Sequence, residues 1–419
     1  MKLTEIAKKG SLSLLLQFTG LAVSLVLNLY MTNVAGKEAY NVYVVSFSWI
    51  TFLAHMGLIG YDVLLTREIS NPNNSEELKS ALLSRSINYA LLISFFLGSL
   101  LILGTILFVT DDTLKLALVL SAAAVPFFSL LLLLKAYLIG KKRNDLAIVC
   151  EKLIRPGIFI FAIATIIGVI GNLSIAWIIL INTGAIFTAL MTAIIISKIK
   201  LNDKKTSVQV DDKYKKAAWT FFFLSFVAMT NNLADVLMLG FWPNTVSEVG
   251  TYKIDLNLTN FIAMPLLTLN AVFAPYFVEY FNDPSKSNNL IAIKNLLRIV
   301  FAFGLVLCIA FTLKPNFFLN FFGQDYLLGA TPLVVLSFGQ LFNVFMGPVG
   351  NALNMANAQQ SVFKISAFTL CINLLLNLVL IPYYGLLGAS AATVITLAIW
   401  NLLLAYQLKN KFGINVTII

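Results

Sequence analysis

Polar residues divide the chain at a regular spacing. Twelve apolar runs, each near the ~20 residues that carry a helix across a bilayer, alternate with short polar or basic stretches. Their limits are 11–33, 41–65, 81–109, 114–139, 146–170, 173–197, 217–241, 249–281, 290–313, 327–350, 361–381 and 385–408. Sustained runs of this length predict helices rather than a barrel. The first run follows Lys2, Lys8 and Lys9, as a signal peptide would. It is too long for one, and no small-residue cleavage site follows it. It is therefore expected to be a first spanning helix that starts in the cytoplasm.

The hairpin 231–284 interrupts this apolar pattern most. Asp235 stands near the end of the seventh run, Lys253 and Asp255 stand near the start of the eighth, and Pro265 and Pro275 interrupt the eighth further on. Ionisable groups inside a membrane helix are costly and mark function. A proline there frees backbone groups that protein or water must satisfy.

Composition settles the class. Of 419 residues, 59% are hydrophobic and 11% charged, against about 25% charged in soluble domains; the chain is an integral membrane protein. The net charge of +10 does not point to nucleic acid, because the basic residues cluster between apolar runs, as topology signals do. With the N-terminus inside, 23 of the 29 Lys and Arg fall on the cytoplasmic side, and both termini are cytoplasmic. Lys152 and Arg155 lie inside the fifth run. Cys150, Cys308 and Cys371 sit in apolar runs and read as small packing residues. His55 stands alone, without a second ligand at metal spacing, and reads as a packing histidine. No metal or cofactor is expected.

The basic stretch 198–216 divides the chain nearly in half, giving a bundle at 1–197, a linker at 198–216 and a bundle at 217–419. Short matches recur in order across the halves. Asn28-Leu-Tyr-Met31 pairs with Asp235-Val-Leu-Met238, Asn41-Val-Tyr43 with Gly250-Thr-Tyr252, and Gly171-Asn-Leu-Ser-Ile-Ala176 with Gly385-Leu-Leu-Gly-Ala-Ser390. Six helices per half give both copies the same orientation, so the repeat is parallel. The predicted fold is all-α, with twelve transmembrane helices as two parallel-repeat six-helix bundles around a central cavity.

The same residues resemble the polysaccharide-export branch of the superfamily that also contains multidrug and toxin extruders and lipid II flippases. The pieces are Tyr61-Asp-Val-Leu-Leu-Thr-Arg-Glu-Ile69, Asp235-Val-Leu-Met-Leu-Gly240, Val249-Gly-Thr-Tyr252 with Pro275, Phe322-Gly-Gln-Asp-Tyr326, and Asn373-Leu-Leu-Leu-Asn-Leu-Val-Leu-Ile-Pro-Tyr-Tyr-Gly-Leu-Leu-Gly-Ala389. Each is a loose pattern; their order over twelve helices is the specific part. Asn41 departs from the family, which often has glycine there. The resemblance implies a Wzx-type flippase, which moves undecaprenyl-diphosphate-linked oligosaccharides such as O-antigen or capsule units across the bacterial inner membrane. A polymerase and chain-length proteins of the same glycan pathway are the protein partners it implies.

Such a protein must shelter a diphosphate that bare hydrocarbon would desolvate at prohibitive cost. Arg and Lys bind phosphate oxygens by charge-assisted hydrogen bonds. Arg155 either meets the diphosphate or neutralises Glu151 one turn away. Lys152 shares its face or snorkels to the interface, as Lys135 is expected to do. Arg67 is an anchor or a first contact for the incoming headgroup. Lys364 occupies the comparable place in the second half, or is an ordinary topology charge. Asp235, Lys253 and Asp255 either cancel as an Asp235–Lys253 pair or form a proton- or cation-responsive gate. Asparagines such as Asn231, Asn343, Asn373 and Asn377 serve interhelical bonding or meet sugars.

Two other classes compete with this one. A cation-coupled antiporter of the toxin-extrusion type, driven through Asp235 or Asp255, fits the same architecture. A membrane glycosyltransferase or polymerase would need catalytic groups in a large external loop, and here these loops are short, the longest holding little beyond Lys314 and Asp325.

Overall fold

The computed structural model describes residues 3–171, 173–197, 212–242, 244–282 and 288–418. Among them the structure is all helical. In chain order the spans are α1 (Leu3–Val34), α2 (Gly36–Gly57 continued by Tyr61–Ser70), α3 (Glu76–Phe108), α4 (Asp112–Ala122 continued by Ala124–Gly140) and α5 (Asn144–Ile148, a π-helical turn Val149–Ile154, then Arg155–Ile170). They continue with α6 (Ile175–Ser197), α7 (Asp212–Phe241), α8 (Val249–Asn282), α9 (Asn288–Leu313) and α10 (Ala330–Met346 and Val349–Met355). A last helix, Gln359–Phe412, is divided by the non-helical Gly385 into α11 (359–384) and α12 (386–412). Eight described helices are long and apolar enough to cross a membrane, ten when each bent pair counts as one span. The division at Gly385 and the 34-residue α8 bring the spans to twelve. The chain is a multi-pass membrane protein, and Phe95, Phe96, Leu107 and Phe108 of α3 stand exposed, as lipid-facing side chains do.

Several expected runs end or bend elsewhere. The second breaks after Gly57 by 56° and resumes to Ser70. Ile59 and Gly60 are left-handed there (φ 43° and 74°). Ser129 of α4 donates to the Ala54 carbonyl at 2.9 Å, one of the groups such a break must satisfy inside a membrane. The fourth bends by 46° at Ala123. The eighth is not interrupted: α8 stays helical through Pro265 and Pro275. Nearby, Asn351 of α10 donates to the Asn270 carbonyl at 2.7 Å and ties α8 to α10. The last residues of the basic stretch open α7, so Lys213, Lys215 and Lys216 are helical; 198–211 lie outside the described residues.

The chain forms two compact units, Met1–Met229 and Thr230–Ile419. In the first, a core of Ile50, Leu64, Leu82, Phe128, Leu133 and Ile186 lies among α2, α3, α4 and α6. Small residues let the helices approach: a Cβ on Gly98 would stand 3.1 Å from the Ala122 carbonyl oxygen. Ser75 and Asp111 cap α3 and α4 by accepting from Leu78 N and Leu114 N. In the second unit, Tyr252, Ile262, Leu333, Val344 and Ala392 are fully buried. Tertiary contacts run mainly among α8, α9, α10 and the α11–α12 helix.

Candidate functional site

Among the described residues, buried polar groups gather around Arg155 in the first unit and around Asp235 in the second. In the first, the organising feature is Pro156. It has no N–H for the Lys152 carbonyl, and its ring crowds that carbonyl. The preceding turn is wound as a π-helix over Val149–Ile154, which shifts Glu151 and Arg155 out of α-helical register. Glu151 and Arg155 form no ion pair. Glu151 Oε2 instead lies 2.7 Å from Lys135 Nζ of α4, so Lys135 is held inward rather than snorkelling freely. Arg155 spreads its guanidinium over the Phe47 ring, 4.5 Å from the centroid, within cation–π range. Its Nη1 donates to Asn182 Oδ1 of α6 at 3.4 Å. Arg155 Nε and Asn182 Nδ2 are buried without partners. Tyr43 stacks on Phe47 and packs on Phe159, completing an aromatic wall. Lys152 rests its stem on α1, where a Cβ on Gly20 would meet the Lys152 Cβ at 2.8 Å.

Arg67 lies apart, in the last turn of α2, more than half exposed. Glu68 partly neutralises it at 2.7 Å and itself accepts from Asn74. The Arg67 guanidinium also covers the Phe221 ring of α7. In the second unit Lys364 is exposed on α11, with no ion pair among the described residues.

The second cluster gathers around Asp235 of α7, which is 6% exposed. Asn377 of α11 donates to its Oδ1 at 2.6 Å, while Tyr252 of α8 and Thr393 of α12 reach Oδ2 at 3.0 and 2.5 Å. Tyr252 and Thr393 also touch at 2.9 Å. Asn377 passes a second hydrogen to Asn373 at 3.0 Å, and Asn373 reaches Thr396 at 3.4 Å. Asn373 and Asn377 stand one turn apart on one face of α11. Among the described residues this carboxylate thus has three uncharged donors from three helices and no cation within ion-pair distance.

The expected Asp235–Lys253 ion pair is absent. Successive helical residues point about 100° apart, so turning Tyr252 toward Asp235 turns Lys253 away. Asp255 is also separate. It is fully buried, both carboxylate oxygens lack partners, and it packs against Gly329, where a Cβ would stand 2.7 Å from Oδ2. Thr251, one turn earlier, faces the same glycine and its hydroxyl is likewise unpartnered.

Tyr43, Phe47, Asn182, Glu68 and Thr393 carry no functional signal in the sequence. Apolar or small polar residues at helical spacing look like ordinary packing until the facing helix is known. The i, i+4 pair Asn373 and Asn377 was the legible signal.

Residues 6–281 match the family described as polysaccharide biosynthesis protein. A probable low-salt glycan biosynthesis flippase, Agl15 of Haloferax volcanii, is 24% identical over 189 residues, 43% of this chain and 38% of that protein. The matched stretch thus spans well under half the length of this curated relative. Among solved structures, the lipid II flippase MurJ in an inward closed conformation aligns with a TM-score of 0.71 at 17% identity, over 94% of this chain and 87% of that one. An inward-facing multidrug resistance MATE family transporter of the MOP superfamily also aligns with a TM-score of 0.71, at 13% identity and 91% of both chains. The chain therefore belongs to the polysaccharide biosynthesis protein family and has the twelve-helix, two-repeat fold of MOP superfamily transporters.

Proposed function

We propose that this chain is a flippase, moving an undecaprenyl-diphosphate-linked oligosaccharide from the cytoplasmic to the outer leaflet by alternating access of its two halves. The family match over residues 6–281 carries the reading, and the glycan flippase among the relatives supports it. The cargo is a repeat unit of O-antigen, capsule or a similar glycan, on the way to lipopolysaccharide or a related polymer. A polymerase and chain-length proteins of that pathway act next. The membrane is the bacterial inner membrane, with both termini in the cytoplasm, as the placement of Lys and Arg supports.

Arg67, exposed at the basic end of α2, receives the diphosphate, and Arg155 with Lys152 holds it further in. Lys364 serves the second half. Arg155 suits the task because its bond to Asn182 is long and its Nε has no partner. A guanidinium held this loosely can turn donors to phosphate oxygens, and the Phe47 ring keeps it in place. Asp235, held by its uncharged donors, is the gate or coupling group, and Lys253 and Asp255 contribute from their separate places on α8. Loading Asp235 with a proton or cation reorders the donors that tie α7 to α8, α11 and α12.

The test is flipping of a lipid-linked oligosaccharide in vesicles containing the purified chain. Arg155→Ala and Arg67→Ala are each expected to stop flipping while leaving the amount of inserted protein unchanged; normal flipping in both would remove the diphosphate assignment. A cation-coupled antiporter is the second reading, supported by the buried Asp235 cluster. Drug transport by the same vesicles with no oligosaccharide flipping would favour it.

A further inference from the structure

The first unit contains a cavity of about 130 Å³ that the transport reading leaves unused, lined by His55, Asp62, Thr66 and Lys135 among apolar neighbours. It straddles the break in α2. His55 stands in the last turn of the first segment and Asp62 in the first turn of the second. A cation is stabilised at a helix C-terminus and an anion at an N-terminus, so the break offers each group the backbone field that favours its charged form.

The protons can be counted. His55 Nδ1 lies 2.8 Å from the Thr51 carbonyl oxygen, which only accepts, so Nδ1 carries hydrogen. Nε2 is then the atom that gains or loses a proton. Asp62 Oδ1 is buried without a partner. Thr66 cannot serve it, because its hydroxyl is directed to the backbone carbonyls of Asp62 and Ala136. The charged groups acting on His55 are Asp62 of its own helix, Lys135 of α4 and Glu151 of α5. Lys135 and Glu151 are committed to each other. Facing α6 brings no ionisable residue. The imidazole and a buried carboxylate oxygen without a partner therefore line one cavity.

We propose that His55 and Asp62 form a proton-binding site fed by water in this cavity. The volume is well above the roughly 10–15 Å³ that one water needs. A proton delivered by that water binds Nε2 and converts imidazole and carboxylate into an ion pair across the break in α2. The site is separate from Asp235 and does not depend on what the protein transports.

His55 is the single histidine of the sequence, so ¹⁵N-histidine labelling of the full chain, purified on a tag without histidine and placed in phosphatidylcholine bilayers, yields one imidazole to follow by NMR. The expected result is an Nδ1–H tautomer at alkaline pH that titrates to imidazolium as pH falls. In Asp62→Asn the midpoint is expected about one pH unit lower, the size of effect a facing charge produces. The wild-type curve decides by itself if that variant fails to fold. An imidazole that stays neutral until the protein unfolds, or an Nε2–H tautomer at alkaline pH, overturns the proposal. So does an unchanged midpoint in a folded Asp62→Asn.

Discussion

Glu151 illustrates how one side chain is decided by its register. In an unbroken α-helix it would face Arg155, and the two would cancel. The π-turn before Pro156 sends it to Lys135 instead and leaves Arg155 to Phe47 and Asn182. Breaking a buried ion pair leaves a charge uncompensated, at about 3–5 kcal/mol. Both partners here are partly exposed, so Lys135→Gln is expected to cost about 3 kcal/mol, the low end of that range. Lys135→Gln combined with Glu151→Gln should recover most of it in thermal unfolding. Additive single costs would deny the coupling. Asp255 offers a second check. A methyl on Gly329 would collide with its carboxylate, so Gly329→Ala should destabilise by roughly 1–3 kcal/mol, as overpacking does, and by clearly less when Asp255 is Ala. Equal losses in both backgrounds would place the strain elsewhere.

At the scale of elements, twelve apolar runs became twelve spans, because hydrophobic length is a local property. The breaks were not legible. Nothing in Leu58-Ile-Gly60 outranks other glycine-containing stretches. The turn is demanded by α7, whose backbone lies against Gly60: a Cβ there would stand 2.2 Å from the Ala218 carbonyl oxygen. Gly171 has a similar φ (72°) with nothing within 4 Å. Both positions charge an alanine roughly 1–2 kcal/mol for the left-handed conformation, and only Gly60 adds a backbone collision. Gly60→Ala is therefore expected to lower the melting temperature well beyond Gly171→Ala; equal shifts would mean that α7 yields. Pro265 and Pro275 misled in the other direction. They suggested an interruption, but α8 continues through both.

At the scale of the whole molecule, charge bias predicts the orientation. With the native cysteines replaced by serine, Ser207→Cys should react with an impermeant thiol reagent only from the cytoplasmic side and Asn316→Cys only from outside; the reverse pattern would invert the topology. Membrane class, span number and the family were all determined by the sequence, since hydrophobic length and the order of weak motifs are summed along the chain. Arg155, Lys152, Asp235 and Asp255 could also be singled out there, because a charge inside an apolar run is conspicuous by itself. Which of them meet was decided only by tertiary structure. Asp235 acquired Asn377 and Thr393 from more than 140 positions away, Asp255 was left without a donor, and His55 and Asp62 were brought to one cavity by a bend. A polar group's partners depend on which faces of distant helices are turned together, and no local pattern carries that.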